Sequence, residues 1–335
     1  MKPSVYLAIS PTLYHEIAFD QYLPRLEEAA QVERWPGPGS PTAEAVRDAT
    51  HRCEVLVTGW GTPSLEEALQ DWSPETSPLR LIAHSAGTIK YMLPRQALER
   101  GLLVVHANES LAEAVAEFTI GAILAMRRQI ILSAERYRAG KPALPFTAMR
   151  ELPHSVIGII GASAIGRRVM ELLRPWNVRI LLYDPYCTPQ AAAAYQAELV
   201  DLPTLFRESD VVSLHAPITP QTIGMLRAEH FAAMKDGALF LNTARGKLVD
   251  HDALLRELQT GRIYALLDVT DPLEPLPRES PFFQLENCVL VSHQAGNSVE
   301  ARERQGRYTA EDVLHYLHGE PLKFRVPPER WDMIA

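Results

Sequence analysis

The sequence has no excess of basic residues. Its 335 residues include 33 Lys and Arg against 41 Asp and Glu, which gives a net charge of -8 at pH 7. A general nucleic-acid-binding protein is not expected, because no positive surplus is available to neutralise phosphates. The same charge gives no attraction to anionic lipid. We therefore expect neither a nucleic-acid nor a membrane partner.

Cysteines and long hydrophobic runs are also scarce. Cys53, Cys187 and Cys288 are odd in number, widely separated and without a C-x-x-C pair. This pattern argues against a disulfide framework and a zinc site, and no metal is predicted. The opening "MKPSVYLAIS" reaches Pro11 and His15 too soon for a signal peptide, and no segment is apolar for long enough to span a membrane. A cytoplasmic protein is expected.

What the sequence does contain is a regular alternation of strand-like and helix-like segments. Runs rich in Val, Ile and Leu alternate with helical stretches, which predicts parallel sheets built from βαβ units. These runs form two series, at residues 4–9, 54–58, 79–84 and 102–105, and at residues 155–160, 178–184, 210–214, 238–242, 263–269 and 288–292. The pattern predicts an α/β protein with two doubly wound parallel-sheet lobes joined by long helices.

Two helices stand out from this alternation. Residues 110–137 are apolar on nearly every face before Arg127, so this helix should be buried at a domain junction or a subunit interface. The buried character of residues 111–126 favours a homodimer. A last helix should follow Ser298 and stop at Gly319. We expect it to return to the first lobe, which would make that lobe discontinuous.

The stretch "VIGIIGASAIGRRV" resembles the G-x-G-x-x-G turn that binds dinucleotides. Gly161 and Gly166 occupy the first and third positions, which serve the tight turn and the close packing of helix on strand. Ser163 occupies the middle position, where it is small and can donate a hydrogen bond to a phosphate oxygen. The helix that begins near Ala164 and Ile165 offers free N–H groups to the same anion. Serine is therefore expected to modify the site without abolishing it.

An acidic residue follows about 20 residues later, as the dinucleotide pattern requires. Asp184 ends the next predicted strand, where it can accept hydrogen bonds from the ribose hydroxyls and would repel a 2′-phosphate. This favours NAD over NADP. The alternative is a strand-to-helix turn without a ligand, with Asp184 as an ordinary helix N-cap.

Three functional side chains follow three successive predicted strands. Arg245 lies in "LFLNTARGKLVD", Glu274 in "LLDVTDPLEPLP" and His293 in "VLVSHQAGNS". Ligands of open α/β sheets bind outside the carboxyl ends of the strands, so these groups are expected to converge. Such a set suits hydride transfer to or from an alcohol carbon. The histidine would act as acid and base, the glutamate would orient it, and the arginine would hold a carboxylate. Each residue alone could equally be an ordinary structural or surface residue.

These motifs, "N-x-A-R-G-x-x-V-D", "D-V…E-P-L-P" and "H-x-A-G", resemble those of the D-isomer-specific 2-hydroxyacid dehydrogenase family, with a resemblance that covers residues 79–316. The resemblance implies an NAD-dependent oxidoreductase that interconverts a D-2-hydroxy acid and its 2-oxo acid. It also implies a flavodoxin-like substrate domain at residues 1–105 plus 299–335, a Rossmann NAD-binding domain at residues 106–298, and a homodimer.

The resemblance also implies roles for individual residues. Arg245 would bind substrate, Glu274 would partner the histidine, and His293 would be the acid–base. Asp268 would contact the nicotinamide carboxamide, and Thr243 would add a backbone contact. The further positions assigned to the cofactor are His215, Ala216, Pro217, Thr222, Ala244 and Gly296.

The sequence departs from the family pattern around the substrate. The loop "AHSAGTIKYM" stands where most members have G-x-G-x-D, and we expect Ser85, Ala86, Gly87 and Thr88 still to bind a carboxylate. Trp60 either reaches the same crevice or packs at a lobe edge.

A second departure is Ser292, which replaces the proline before the histidine and would loosen its approach. Two rival functions stay open at this point. One is a non-catalytic NAD(H)-sensing or partner-binding protein on the same fold, and the other is a related dehydrogenase for a small anion such as formate or phosphite.

Overall fold

Twelve strands and thirteen α-helices organise residues 2–333, the part of the chain that the computed structural model describes. The strands are β1 Ser4–Ala8, β2 Gln31–Arg34, β3 Val55–Thr58, β4 Leu81–His84, β5 Leu103–His106, β6 Val156–Ile160, β7 Arg179–Tyr183, β8 Ala197–Leu199, β9 Val211–Leu214, β10 Leu239–Asn242, β11 Tyr264–Leu267 and β12 Cys288–Leu290. The helices are α1 Pro11–Glu16, α2 Leu23–Ala29, α3 Ala43–Thr50, α4 Glu66–Leu69, α5 Arg95–Glu99, α6 Ala112–Arg127, α7 Ile130–Arg138, α8 Ala164–Leu173, α9 Pro189–Ala193, α10 Leu202–Glu208, α11 Ala228–Ala233, α12 His251–Gln259 and α13 Val299–His318.

The chain divides into two units, Met1–Leu111 with Asn297–Ala335, and Ala112–Gly296. The first unit has a five-stranded sheet in the order β2-β1-β3-β4-β5, which is the flavodoxin-like order. The second has a seven-stranded sheet in the order β12-β11-β10-β9-β6-β7-β8. All the strand pairs in both sheets are parallel. The predicted class, two doubly wound parallel α/β lobes, is confirmed.

In the first unit, the last helix completes a core that the first strands begin. Ala310 and Val313 of α13 belong to the same buried cluster as Leu7 of β1 and Val57 of β3. The helix begins and ends as its sequence predicts, because the Ser298 hydroxyl caps it and Gly319 closes it with φ 73°. One face of the first sheet therefore depends on the C-terminal part of the chain.

In the second unit, α6 packs on the sheet through its apolar residues. Ala116 and Ile123 are fully buried in a cluster with Ile157 and Leu241. Packing within the unit therefore accounts for these buried residues of α6, and the position of the helix at a domain junction or subunit interface and the homodimer stay predictions. The single helix predicted over residues 110–137 is wrong, because Gln129 takes the left-handed φ of 53° and ends α6 before α7 begins.

None of the helices within residues 2–333 combines the length and the apolar composition needed to cross a membrane. The cytoplasmic location stays a prediction.

Candidate active site

The turn after β6 requires glycine at two positions. Gly161 has φ 98°, and a Cβ atom there would lie 2.8 Å from the backbone nitrogen of Ala216. A Cβ atom on Gly166 would lie 2.0 Å from the carbonyl oxygen of Gly161. The two glycines therefore keep the first and third roles expected of a dinucleotide-binding turn.

Ser163 takes the middle position of this turn as the N-cap of α8. Its Oγ accepts a hydrogen bond from the Gly166 N–H at 3.2 Å, which leaves the hydroxyl hydrogen to donate elsewhere. The N–H groups of Ala164 and Ile165 have no partner inside the helix, since they belong to its first turn. Hydroxyl, N–H groups and helix dipole together form a donor set that fits a pyrophosphate.

Asp184 lies beside this turn and holds it to the end of β7. One carboxylate oxygen accepts from the Ala162 N–H at 2.7 Å, and the other accepts from the Tyr186 N–H at 2.8 Å. Each carboxylate oxygen has a second acceptor site for a ribose hydroxyl. The helix that follows is capped by Thr188 instead, so Asp184 is not the N-cap of α9.

The turn after β9 packs against the glycine turn through Ala216. His215 is buried and forms a hydrogen bond with Ser213 at 2.9 Å, and burial lowers its pKa to about 3. Its ring is therefore neutral at physiological pH. The Thr222 hydroxyl donates to the Pro217 carbonyl at 2.7 Å and closes the loop.

The three predicted catalytic side chains follow the neighbouring strands β10, β11 and β12, and two of them, Glu274 and His293, are in contact. Nδ1 of His293 donates to Oε1 of Glu274, and Oε2 of Glu274 accepts from the Thr270 N–H at 3.3 Å. Burial lowers the pKa of the Arg245 guanidinium, and Glu274 is the carboxylate that opposes this shift. Cation, carboxylate and imidazole therefore share one electrostatic environment.

Asn242 fixes the loop that carries Arg245, although it was not among the predicted site residues. Its Oδ1 accepts from the Ala244 N–H and its Nδ2 donates to the Arg245 carbonyl, both at 3.0 Å. Thr243 is buried between them, with its hydroxyl 3.5 Å from that of Thr119. Asn242 is the first residue of the "N-x-A-R-G" motif, and this position was the feature of the sequence that could have identified it.

Asp268 is bound to the segment that carries the histidine. Its side chain accepts from the Gln294 N–H at 2.6 Å and from the Ala295 N–H at 3.2 Å, and its carbonyl accepts from the His293 N–H at 2.9 Å. Burial raises the pKa of this carboxyl, and the two N–H groups oppose the shift. Gly296 follows in the same turn.

His293 itself has the left-handed φ of 51°, which is uncommon for a residue with a side chain. Such a conformation persists only where the surroundings hold it, and the three hydrogen bonds to Asp268 provide that support. The exposed Ser292 precedes it, and its carbonyl accepts from the Gln294 side chain at 2.8 Å.

The predicted substrate loop lies in the first unit, after β4. Ser85 is fully buried, and its hydroxyl donates to the Thr58 carbonyl at 2.9 Å. The Gly87 carbonyl accepts from Nδ1 of His106 at 3.0 Å. The Ser85 hydroxyl therefore has a structural partner. The N–H groups of the loop from Ala86 to Thr88 are the donors that a carboxylate could use. His106 is a second support that sequence reasoning missed.

Family models give an independent view of the second unit. Residues 120–295 match the model described as D-isomer specific 2-hydroxyacid dehydrogenase, NAD binding domain. The chain belongs to the D-isomer-specific 2-hydroxyacid dehydrogenase family.

Relatives over the whole chain agree with this assignment. The glyoxylate reductase of Korarchaeum cryptofilum is 32% identical over 335 residues, which cover 98% of this chain and 95% of that protein. Glyoxylate/hydroxypyruvate reductase B of Escherichia fergusonii is 32% identical over 336 residues, which cover 98% and 99%. The crystal structure of the TT0316 protein from Thermus thermophilus has 30% identity, a TM-score of 0.77 and coverage of 96% and 99%.

Membership of the 2-hydroxyacid dehydrogenase family confirms the resemblance that the sequence motifs indicated. The chain is an oxidoreductase of this family, and residues 120–295 form its nicotinamide-cofactor-binding domain. The choice between NAD and NADP, the substrate and the roles of single residues stay predictions.

Proposed function

We propose that this protein is an NAD-dependent dehydrogenase that interconverts a D-2-hydroxy acid and its 2-oxo acid. The observation that carries the proposal is the contact between Nδ1 of His293 and Glu274, with Arg245 in the same electrostatic environment. An acid–base group, its carboxylate partner and a carboxylate-binding cation are the side chains that this reaction requires.

In the direction of reduction, we assign a separate role to each residue. Arg245 binds the substrate carboxylate, since a guanidinium fork matches its oxygens. In the first unit, we assign the N–H groups of Ala86 to Thr88 to a carboxylate as well. His293 donates a proton from Nε2 to the carbonyl oxygen. Glu274 holds Nδ1, which fixes the orientation of the ring before transfer. The bound dinucleotide supplies the hydride.

The cofactor is held by the turn after β6 and by the start of α8. Gly161 lets the backbone pass Ala216 closely, and Ser163 and the N–H groups after it bind the pyrophosphate. Asp184 accepts from the ribose hydroxyls, and its charge disfavours a 2′-phosphate. We therefore propose NAD as the cofactor.

The experiment that tests the proposal follows NADH absorbance with a panel of 2-oxo acids. The names of the relatives make glyoxylate and hydroxypyruvate the first substrates to try. Consumption of NADH with either supports the proposed reaction. NADH binding without consumption for any 2-oxo acid would favour the non-catalytic alternative, and turnover of formate or phosphite alone would favour the small-anion alternative.

The variant His293→Ala tests the division of roles. We expect turnover to fall by about 100-fold or more, because the proton donor is lost. NADH affinity, measured by fluorescence titration, should stay unchanged. His318→Ala is the matched control, since His318 is exposed at the end of α13. Loss of NADH binding in His293→Ala, or full retention of turnover, would contradict the assignment.

A further inference from the structure

A guanidinium in the first unit is held in a fixed plane against an exposed aromatic ring. The Arg302 carbon Cζ lies 4.0 Å from the centroid of the Trp60 ring, which is a close cation–π stack. Nη2 of Arg302 donates to the Asn297 side-chain oxygen at 3.0 Å. Trp60 itself remains 37% exposed. Two contacts therefore fix the orientation of Arg302, and part of the Trp60 side chain stays exposed.

The other terminal nitrogen of Arg302 has no acceptor. Nη1 is buried, and no atom among the described residues accepts a hydrogen bond from it. Burial lowers the pKa of Arg302, and the charge of Glu16 opposes this shift. A buried donor without an acceptor is unfavourable in free energy, and arginine cannot avoid this by losing its proton, because it stays charged in proteins. A buried donor of this kind is satisfied by a ligand or a water molecule.

This donor lies beside the loop that we assign to the substrate carboxylate. Gln305, one turn after Arg302 on α13, is fully buried and donates to the Ser85 carbonyl at 3.4 Å. A Cβ atom on Gly59, the residue before Trp60, would lie 2.6 Å from Ser85 Oγ. The start of α13, the Trp60 loop and the Ser85 loop are therefore neighbours at the carboxyl ends of β3 and β4.

We propose that Arg302 and Trp60 form a specificity subsite in which Nη1 of Arg302 donates to an oxygen at the distal end of the substrate. A guanidinium only donates, so it recognises a hydroxyl or a carboxylate oxygen and gains nothing from a methyl group. The favoured substrates are then 2-oxo acids that carry an oxygen on the third carbon or beyond. This inference rests on the proposed function and names the substrate class of that site.

The test compares kcat/KM for glyoxylate, pyruvate, hydroxypyruvate and oxaloacetate in the wild type and in Arg302→Met. We expect the values for hydroxypyruvate and oxaloacetate to fall by about 10- to 100-fold, as for a lost charged hydrogen bond. The values for glyoxylate and pyruvate should change by less than about twofold, because these substrates offer no distal oxygen. A larger fall for oxaloacetate than for hydroxypyruvate would identify the distal group as a carboxylate, and the reverse as a hydroxyl.

Two further variants keep the result interpretable. Arg307→Met makes the same change at an exposed position of α13 and should leave all four values unchanged. Arg302→Lys keeps the charge but loses the planar fork, and should show the same selectivity to a smaller degree even if the methionine variant does not fold.

Equal losses for all four substrates would overturn the subsite, because Arg302 would then act on the part that they share. Wild-type preference for pyruvate over both oxygen-bearing substrates would overturn it as well. In either case turnover of a 2-oxo acid still supports the proposed reaction. No turnover of any 2-oxo acid by the wild type would instead reject the proposed function.

Discussion

Asp268 supports the turn that carries His293, a role that its sequence motif does not indicate. The family resemblance assigns it to the nicotinamide carboxamide, whereas in the structure its side chain accepts from the N–H groups of Gln294 and Ala295. These bonds hold the left-handed turn at His293. The family resemblance identifies Asp268 as a site residue, but it does not predict these hydrogen bonds. Hydrogen bonds from a side chain to the backbone depend on how the loop folds.

Asp268→Asn tests this positioning role. The amide keeps one acceptor oxygen but replaces the other with a donor, so the turn at His293 should lose definition. We expect kcat to fall by about 10-fold or more while NADH affinity changes little, because the histidine is displaced and the pyrophosphate turn is not. Steady-state kinetics and NADH fluorescence titration measure the two effects.

The matched control for this substitution is Asp252→Asn at an exposed position of α12. It should leave both quantities unchanged. Loss of NADH affinity with kcat preserved at saturating NADH would instead support the carboxamide contact as the main role of Asp268.

The same limit applies to the substrate loop. The motif comparison selected Ser85 together with Ala86, Gly87 and Thr88, but a buried serine whose hydroxyl bonds to Thr58 is part of the scaffold. Sequence identifies the segment because its position after a strand is local information. Which atoms of that segment face a ligand depends on packing against β3 and α13.

At the scale of elements, the patterns predicted every interior strand and missed two of the four edge strands. Interior strands such as β3 and β9 are buried at every position, so they appear as continuous apolar runs. The two missed strands, β2 and β8, lie at sheet edges and have at most one buried residue each. An exposed edge strand such as "QVER" has no apolar run to distinguish it from a loop.

Helix α13 contains a close contact that the sequence also conceals. A Cβ atom on Gly306 would lie 1.8 Å from the Ile17 carbonyl oxygen, so the helix touches backbone there. We expect Gly306→Ala to destabilise the fold by about 1–3 kcal/mol, since either the helix or the segment at Ile17 must move. Thermal unfolding followed by circular dichroism measures the change.

Gly121 on α6 provides the comparison, because a Cβ atom there meets no atom within 4 Å. Gly121→Ala should stabilise its helix by about 0.5–1 kcal/mol, as alanine loses less backbone entropy on folding. If the Gly306→Ala protein is as stable as the wild type, the helix and the segment at Ile17 can move apart without a loss of folding free energy.

At the scale of the whole molecule, each unit buries a neutral histidine. Burial lowers the pKa of His84 in the first unit and that of His215 in the second to about 3. In the unfolded chain histidine takes up a proton near pH 6.5. The unfolded chain therefore binds more protons than the fold between these values, and stability falls as the pH falls below about 6.5.

We expect this effect to reach about 2 kcal/mol for each of the two histidines at pH 5. Both units should lose stability, so any separate unfolding transitions should all shift to lower temperature between pH 7 and pH 5. Calorimetry over this range measures the shift. An unfolding temperature that does not change would mean that these histidines are protonated in the fold or exposed to water.

The return of α13 to the first sheet also sets the order in which the protein can be completed during synthesis. Strands β1 to β5 leave the ribosome early, whereas Ala310 and Val313, which share a buried cluster with Leu7 and Val57, leave it last. The second unit is continuous and can form in the interval. One apolar face of the first sheet therefore stays exposed while the second unit is synthesised. A chain that ends before Val299 keeps this face exposed, so it can aggregate or bind a chaperone.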